Sequence, residues 1–212
     1  MIELRDMCFS YFAGRQVLEG VNVSVAEGDR IALCGRNGSG KSTLFHVMMG
    51  LLKPSSGTVT MFGRARENES DFIEVRRRVG LLFQDTDDQL FCPTVAEEIA
   101  FGPMNLGKSR EEALAIVKAK LEMLGLEGFE ERISYNLSGG EKRLVALASV
   151  LAMEPEVLLL DEPVADLDEV RTAELAEFLR KSSLTYVIVS HDREFLEQTT
   201  DRSLMLNQGR TG

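Results

Sequence analysis

Gly35-Arg36-Asn37-Gly38-Ser39-Gly40-Lys41-Ser42 satisfies the pattern G-x-x-x-x-G-K-[ST], and each position has a chemical reason. The glycines let the backbone curl so that successive N–H groups turn inward onto phosphate oxygens. A helix that opens at the end of such a loop adds the positive end of its dipole. Lys41 supplies a point charge for the β and γ phosphates of a nucleotide, and the Ser42 hydroxyl suits a hard cation such as Mg²⁺. Asn37, Gly38, Ser39, Gly40 and Thr43 complete the candidate nucleotide-binding set in this stretch. A second polar group, Asp161-Glu162-Pro163, ends the apolar run Val157-Leu158-Leu159-Leu160. Asp161 is placed to help hold Mg²⁺, directly or through a water, and Glu162 to polarise a water for in-line attack at the γ phosphate. Alone, the two acids would serve as well to start the next turn; beside Lys41-Ser42 they point to a site for a nucleoside triphosphate and Mg²⁺.

A scaffold must bring these two segments together. Arg30 to Cys34 reads as a strand directly before the glycine loop, and Ser42 to Leu52 as a helix directly after it. Ile2 to Tyr11, Val17 to Val25 and Thr58 to Phe62 are β-rich and divided by Gly14, Gly28 and Ser55-Ser56-Gly57. Val79 to Phe83 fits a second buried strand. From Val95 to about Leu137 the spacing turns helical, with Ala113, Ile116, Val117, Lys120, Leu121 and Leu124 on one face and Gly125 as a stop. There follow a helix from Ser138, a strand over Val157 to Leu160 and a helix from about Asp168 to Lys181. A strand over Thr185 to Val189, a helix over Glu194 to Thr199 and a strand over Ser203 to Asn207 complete the pattern. Such alternation predicts an α/β fold with a mostly parallel sheet covered on both faces. Ligands of these sheets gather at the carboxyl ends of the strands, where both Gly35 and Asp161 fall. Nothing in the sequence separates independent domains. The expected organisation is one domain over 1–212, with 1–94 and 155–212 as a nucleotide-binding core lobe and about 95–154 as an inserted helical lobe.

The composition narrows the partners. Lys and Arg number 24 against 34 Asp and Glu, a formal charge of −10, which argues against a general polyanion binder, so no nucleic acid is expected. A local phosphate site is untouched by that argument, because it needs only a few backbone amides and one lysine. With 44% hydrophobic and 27% charged residues the chain is globular in composition. Its best apolar stretches, Leu44 to Leu52 and Val157 to Leu160, fall well short of the roughly 18 residues of a membrane span. Glu3 and Asp6 stand where a signal peptide would be basic, so export is not expected. Cys8, Cys34 and Cys92 share no metal-ligand spacing and read as reduced, buried thiols, and two histidines, His46 and His191, argue against a His-based metal site.

Further motifs, in their order along the chain, carry a family resemblance. Leu137-Ser138-Gly139-Gly140-Glu141 is similar to the ABC signature, with Glu141 where Gln is the more common residue. Gln84 follows Leu81-Leu82-Phe83 as a Q-loop glutamine does, His191 in Val189-Ser190-His191-Asp192 resembles the switch histidine, and Ala165-Asp166-Leu167-Asp168 stands where the D-loop is expected. Over nearly its whole length the chain resembles the ATP-binding subunit of an ABC transporter. The resemblance implies a P-loop NTPase of the ABC ATPase type, with an N-terminal antiparallel β subdomain and an inserted helical subdomain. It implies ATP and Mg²⁺ as cofactors and a homodimer or heterodimer in which ATP lies between the phosphate loop of one subunit and Ser138, Gly139 and Gly140 of the other. His191 would hold the γ phosphate and the water in register with Glu162, and Gln84 would reach Mg²⁺ and report its state to a transmembrane partner. Tyr11 resembles the aromatic that stacks on adenine, with Phe9 and Phe12 near enough to exchange roles. Ser138-x-x-Glu141 is also a capping box, able to start a helix that presents Leu144, Leu147, Ala148 and Leu151 to a core.

The segment from Phe83-Gln84-Asp85-Thr86-Asp87-Asp88-Gln89-Leu90-Phe91 to Phe101-Gly102-Pro103 is similar to the ATPase subunits of energy-coupling-factor and cobalt or nickel importers. That implies an integral-membrane coupling or permease subunit contacted near Gln84 to Phe91, with Asp85, Asp87 and Asp88 offering charge to its basic residues. It implies a cytoplasmic protein, peripheral on the inner face of the cell membrane. Asp166 departs from this branch, which usually has Gly there, and adds charge near a subunit interface. The sequence ends at Gly212 without the C-terminal extension that many members of the branch use for dimer contacts, which leaves dimerisation without ATP open. Two other classes compete. Chromosome-maintenance and ribosome-acting ABC ATPases share the signature, but the first needs a long coiled coil between Lys41 and Ser138 and the second two cassettes in one chain. A simple P-loop kinase would not need the signature, Gln84 and His191.

Overall fold

The computed structural model describes residues 1–11 and 16–211. Strand β1 (Ile2–Ser10) pairs antiparallel with β2 (Gln16–Val25), the chain then forms β3 (Arg30–Cys34) and helix α1 (Lys41–Met48), and it returns as β4 (Ser56–Met61) and β5 (Arg64–Ala65). β4 lies on the other side of β1, giving an antiparallel sheet in the order β2-β1-β4-β5. β3 belongs to a second sheet. Helix α2 (Glu69–Arg78) leads into β6 (Val79–Leu82), and helices α3 (Val95–Asn105), α4 (Arg110–Met123) and α5 (Gly139–Leu151) follow. The remainder alternates β7 (Val157–Asp161), α6 (Glu169–Lys181), β8 (Thr185–Val189), α7 (Arg193–Thr199), β9 (Arg202–Asn207) and β10 (Arg210–Thr211). The second sheet has the order β10-β9-β3-β8-β7-β6, parallel throughout except for the final β9–β10 hairpin.

Every residue of β7 and β8 is buried, as befits parallel strands covered on both faces. Their alternation still sorts them. Val157, Leu159, Val187 and Val189 pack into one core with β1, β2 and α1, whereas Leu158, Leu160, Tyr186 and Ile188 pack into another with α3, α4, α5 and α6. The period of two along a pleated strand thus makes the parallel sheet the wall between two cores.

Helices α3, α4 and α5 each open on a capping box: Thr94 with Glu97, Ser109 with Glu112, and Ser138 with Glu141. The helical stretch expected from Val95 to Leu137 is two helices and an irregular segment; α4 ends at Met123, Gly125 turns the chain at φ 64, and only a short 3-10 turn at Ser134–Asn136 precedes α5. α2 was invisible to hydrophobic spacing because it buries only Phe72 and Val75 in a polar sequence. The cysteines, expected buried, are half-buried free thiols. Burial, with Glu98 nearby, pushes the Cys92 thiol up to about 11, so it stays protonated.

Candidate nucleotide-binding site

β3 buries Ile31, Ala32 and Leu33 and so delivers the chain to Gly35 at the carboxyl end of the parallel sheet. Gly40 caps α1 in the left-handed region at φ 101, and a Cβ there would lie 2.9 Å from Leu18 Cδ2. At Gly35 a Cβ would lie 2.3 Å from the Leu206 carbonyl oxygen. The backbone contact at Gly35 and the left-handed conformation at Gly40 therefore call for glycine at both ends of the loop. Lys41 Nζ donates to the carbonyls of Gly35 at 2.9 Å and Arg36 at 3.2 Å, which holds the ammonium over the loop. Ser39 Oγ is buried and has no hydrogen-bond partner among the described residues. A cradle too narrow for side chains, a cation held over it and an unspent hydroxyl fit a phosphate.

Asp161 closes β7 and is 4% exposed. Burial pushes its pKa up, against the Ser42 hydroxyl and the charges of Lys41, His46 and Arg143. A buried carboxylate beside a serine hydroxyl is an oxygen donor set suited to Mg²⁺, whose charge would offset the desolvation of Asp161. Glu162 follows at φ 51, its N–H donating to the Val189 carbonyl at 2.8 Å. That left-handed backbone costs on the order of 1 kcal/mol or more in a non-glycine residue, and here it turns the carboxylate toward β8's end. There the His191 N–H donates to Glu162 Oε2 at 3.2 Å and His191 Nε2 lies 3.5 Å from Oε1. The Glu162 side chain is 13% exposed and that of His191 66%, so the carboxylate sits at the floor and the imidazole at the mouth.

One cavity of about 620 Å³ gathers the loop residues Asn37, Gly38, Gly40, Lys41 and Ser42 with Tyr11, Thr43, Gln84, Asp161, Glu162 and His191. Its size is that of a small-ligand pocket. The exposed Tyr11 ring stands edge-on to Phe9 at 4.9 Å, and its hydroxyl shares a 3.1 Å hydrogen bond with Thr43 Oγ1. Phe9 is in the core and offers no face to a base; Phe12 lies outside the described residues. Ser138, Gly139 and Gly140 do not line this cavity. Gly139 instead borders a neighbouring one of about 680 Å³ that shares Ser42, Gln84 and Asp161.

The signature residues are held by local chemistry. Glu141 Oε2 accepts from the Ser138 N–H at 2.8 Å and its hydroxyl at 2.9 Å, while Oε1 takes Arg132 at 2.9 Å. These partners, the Ser138 backbone first, hold the Glu141 carboxyl below its ordinary range. A Cβ on Gly140 would lie 2.5 Å from the Asp166 carbonyl oxygen, so the D-loop itself requires glycine there. Asp166 adopts φ 63, a left-handed backbone that glycine takes without steric cost.

Asp85, Asp87 and Asp88 are exposed, and two of them also make contacts within the chain. Asp85 accepts from the Asp87 N–H at 3.0 Å and Asp87 pairs with Lys142 Nζ at 2.6 Å. Beside them runs an apolar groove of about 260 Å³ lined by Leu51, Phe83, Phe91, Phe101, Val150 and Met153, with Arg76 and Arg77 on its rim. Phe91 is 66% exposed and meets Phe101 edge-on at 4.8 Å. Sequence reasoning missed Arg143 and Gln89, which hold the Gln84 loop; the signal was a charge on the apolar side of the signature helix.

Residues 18–165 match the family model described as ABC transporter. The chain is 46% identical over 213 residues to the energy-coupling factor transporter ATP-binding protein EcfA of Methanothermobacter thermautotrophicus, covering 99% of this chain and 68% of that one. Among solved structures it is similar to cbiO1 of Clostridium perfringens, part of the ABC transporter complex cbiONQ, with a TM-score of 0.85, 33% identity, and 100% of this chain and 86% of that chain covered. It is also similar to the dimeric ATP-binding cassette MJ0796 in a post-hydrolysis state with ADP and Pi, with a TM-score of 0.91, 27% identity, and 100% and 96% covered.

Proposed function

The chain belongs to the ABC transporter family of ATP-binding proteins and is an ATPase, and from that premise we propose that it is the motor of an importer of the energy-coupling-factor or cobalt/nickel type, driving transport through a separate membrane subunit. The observation that carries the reading is the single cavity in which Lys41, Ser42, Gln84, Asp161, Glu162 and His191 converge. Loop amides from Gly35 to Ser42 and the Lys41 ammonium bind the β and γ phosphates, and the Tyr11 ring takes the base. Glu162, oriented by His191, accepts the proton of the attacking water. Mg²⁺, held by Ser42 and Asp161 with Gln84 in reach, would neutralise charge on the phosphate oxygens.

Ser138, Gly139 and Gly140 lie outside the cavity they are assigned to complete, which supports a head-to-tail dimer in which they serve the partner's nucleotide. Within each subunit, 1–94 with 155–212 supplies the phosphate loop and about 95–154 the signature. The groove with the Phe91–Phe101 pair suits helices of a membrane subunit, since exposed aromatics around an apolar floor favour association. Among the described residues no helix is long and apolar enough to cross a membrane, and the proposed location is the cytoplasmic face, by way of that subunit. ATP hydrolysis by the wild type and its loss with nucleotide affinity in Lys41→Ala test the motor. Co-purification from detergent with a membrane protein, lost in Phe91→Ser, tests the branch; recovery of DNA or ribosomes instead would overturn it.

A further inference from the structure

Arg143, the one arginine of the signature helix α5, has no part in the reading above, yet its surroundings are unusual for a charged group. It is 4% exposed on a helix that otherwise buries Leu144, Ala146, Leu147 and Val150. A well-packed apolar residue would avoid the desolvation of a guanidinium. Two of its nitrogens donate to backbone carbonyls of successive residues, Phe83 and Gln84, each at 2.8 Å, and its Nε is buried without a partner among the described residues. Burial draws its pKa down, while Asp166, Asp161, Glu162 and Asp85 oppose that; the cation thus sits among the carboxylates of the metal site and the D-loop.

Two neighbours grip the same loop. Lys142 Nζ holds Asp87 at 2.6 Å. Gln89 accepts from the Phe83 N–H at 3.0 Å and donates to the Ala146 carbonyl at 3.1 Å. The segment that aims Gln84 into the nucleotide cavity is therefore tied, at Phe83, Gln84, Asp87 and Gln89, to the helix whose first turn is the signature.

We propose that Arg143, with Lys142 and Gln89, is a strap that sets Gln84 against the signature helix, so that Gln84 and the glycines Gly139 and Gly140 move as one unit. This rests on the ATPase reading above. Arg143 is a positioning residue: it acts through the Gln84 backbone and through α5. A planar fork can hold two adjacent carbonyls at once, which a lysine ammonium on a flexible stem cannot do at the same geometry. The charge-retaining Arg143→Lys therefore separates positioning from electrostatics.

Wild type, Arg143→Lys and Arg143→Met are compared for hydrolysis across Mg²⁺ concentrations, for equilibrium ATP binding, and for hydrogen exchange of the Phe83 to Asp87 amides. In both variants kcat is expected to fall about tenfold or more, half-saturating Mg²⁺ to rise about threefold, and ATP Kd to stay within about twofold, the split expected when geometry is lost and the phosphate loop kept. The loop amides are expected to exchange about tenfold faster, since their closed state has lost its anchor. A folded Arg143→Lys with wild-type kcat, Mg²⁺ dependence and exchange overturns the proposal, and it decides the matter if Arg143→Met does not fold. If the wild type hydrolyses no ATP, the motor reading fails by itself, while the exchange comparison still accepts or rejects the strap.

Discussion

Replacing Gly140 by alanine adds one methyl group where the signature helix meets the D-loop. The new Cβ would lie 2.5 Å from the Asp166 carbonyl oxygen and 3.4 Å from Leu167 Cδ2. Carbon–oxygen contacts ordinarily begin near 3.3 Å, so α5 or the D-loop must yield by roughly 0.8 Å. Overpacking of this kind costs about 1–3 kcal/mol, and exchanging glycine for alanine inside a helix returns about 1 kcal/mol. The net loss is about 1 kcal/mol, or about 2–4 °C in Tm for a chain of this length. Turnover is expected to suffer more, because a displacement near 1 Å costs about 10²-fold when a group must meet a transition state. ATP affinity of the monomeric subunit should not change, since Gly140 does not border the phosphate-loop cavity of its own chain. Phosphate release, equilibrium dialysis with ATP and calorimetry measure the three quantities. Asp166→Gly in the same chain frees a backbone held at φ 63 and should recover about tenfold of the lost rate by letting the carbonyl rotate away. Wild-type turnover in Gly140→Ala would refute the reasoning, because it would mean that the placement of this turn does not matter to hydrolysis.

Glu162→Gln keeps the shape of the side chain and its acceptor for the His191 N–H but cannot take a proton, so kcat should fall about 10²- to 10⁴-fold with ATP binding intact; normal turnover removes the residue from its role. Tyr11→Phe loses the bond to Thr43 and should weaken ATP by at most about fivefold, against about 5- to 150-fold for Tyr11→Ala, which loses the stacking ring. Equal effects in isothermal titration would show that the ring does not stack. Burial raises the Asp161 pKa above its ordinary 3.8, so its contribution to stability is full below that value and is lost as the pH rises through the folded pKa. Metal-free Asp161→Asn should therefore melt above the wild type at pH 7, with the gain narrowing toward pH 4 and Mg²⁺-dependent hydrolysis lost. An unchanged or lower Tm at pH 7 contradicts the desolvation argument.

Much of the site was legible because its parts are contiguous. The glycine loop, its lysine and its serine form one short stretch, and the apolar run that must be β7 ends on the acids themselves. The Ser138–Glu141 capping box followed the same logic, needing only residues three apart. α2 escaped because capping and charge pairs support it: its two buried residues, Phe72 and Val75, give no periodic stripe. The ion pair of Asp87 with Lys142, 55 residues on, was not legible, because nothing in the sequence reveals that the two segments fold together. Burial separates Phe9 from Tyr11, which the sequence alone did not: the Phe9 ring belongs to the core and the Tyr11 ring is left at the cavity.

By itself the sequence determined the residue types of the phosphate loop and the acidic end of β7, since each is one short stretch, and the alternation of strands and helices that calls for a parallel sheet; which strands pair, β3 between β8 and β9, it did not determine. Only the tertiary structure decided that Arg143 holds the Gln84 loop and that Asp166 makes glycine obligatory at Gly140. Those outcomes depend on how α5 packs against β6 and the D-loop, and the energy of such contacts arises between segments whose separation in sequence carries no information about their distance in space.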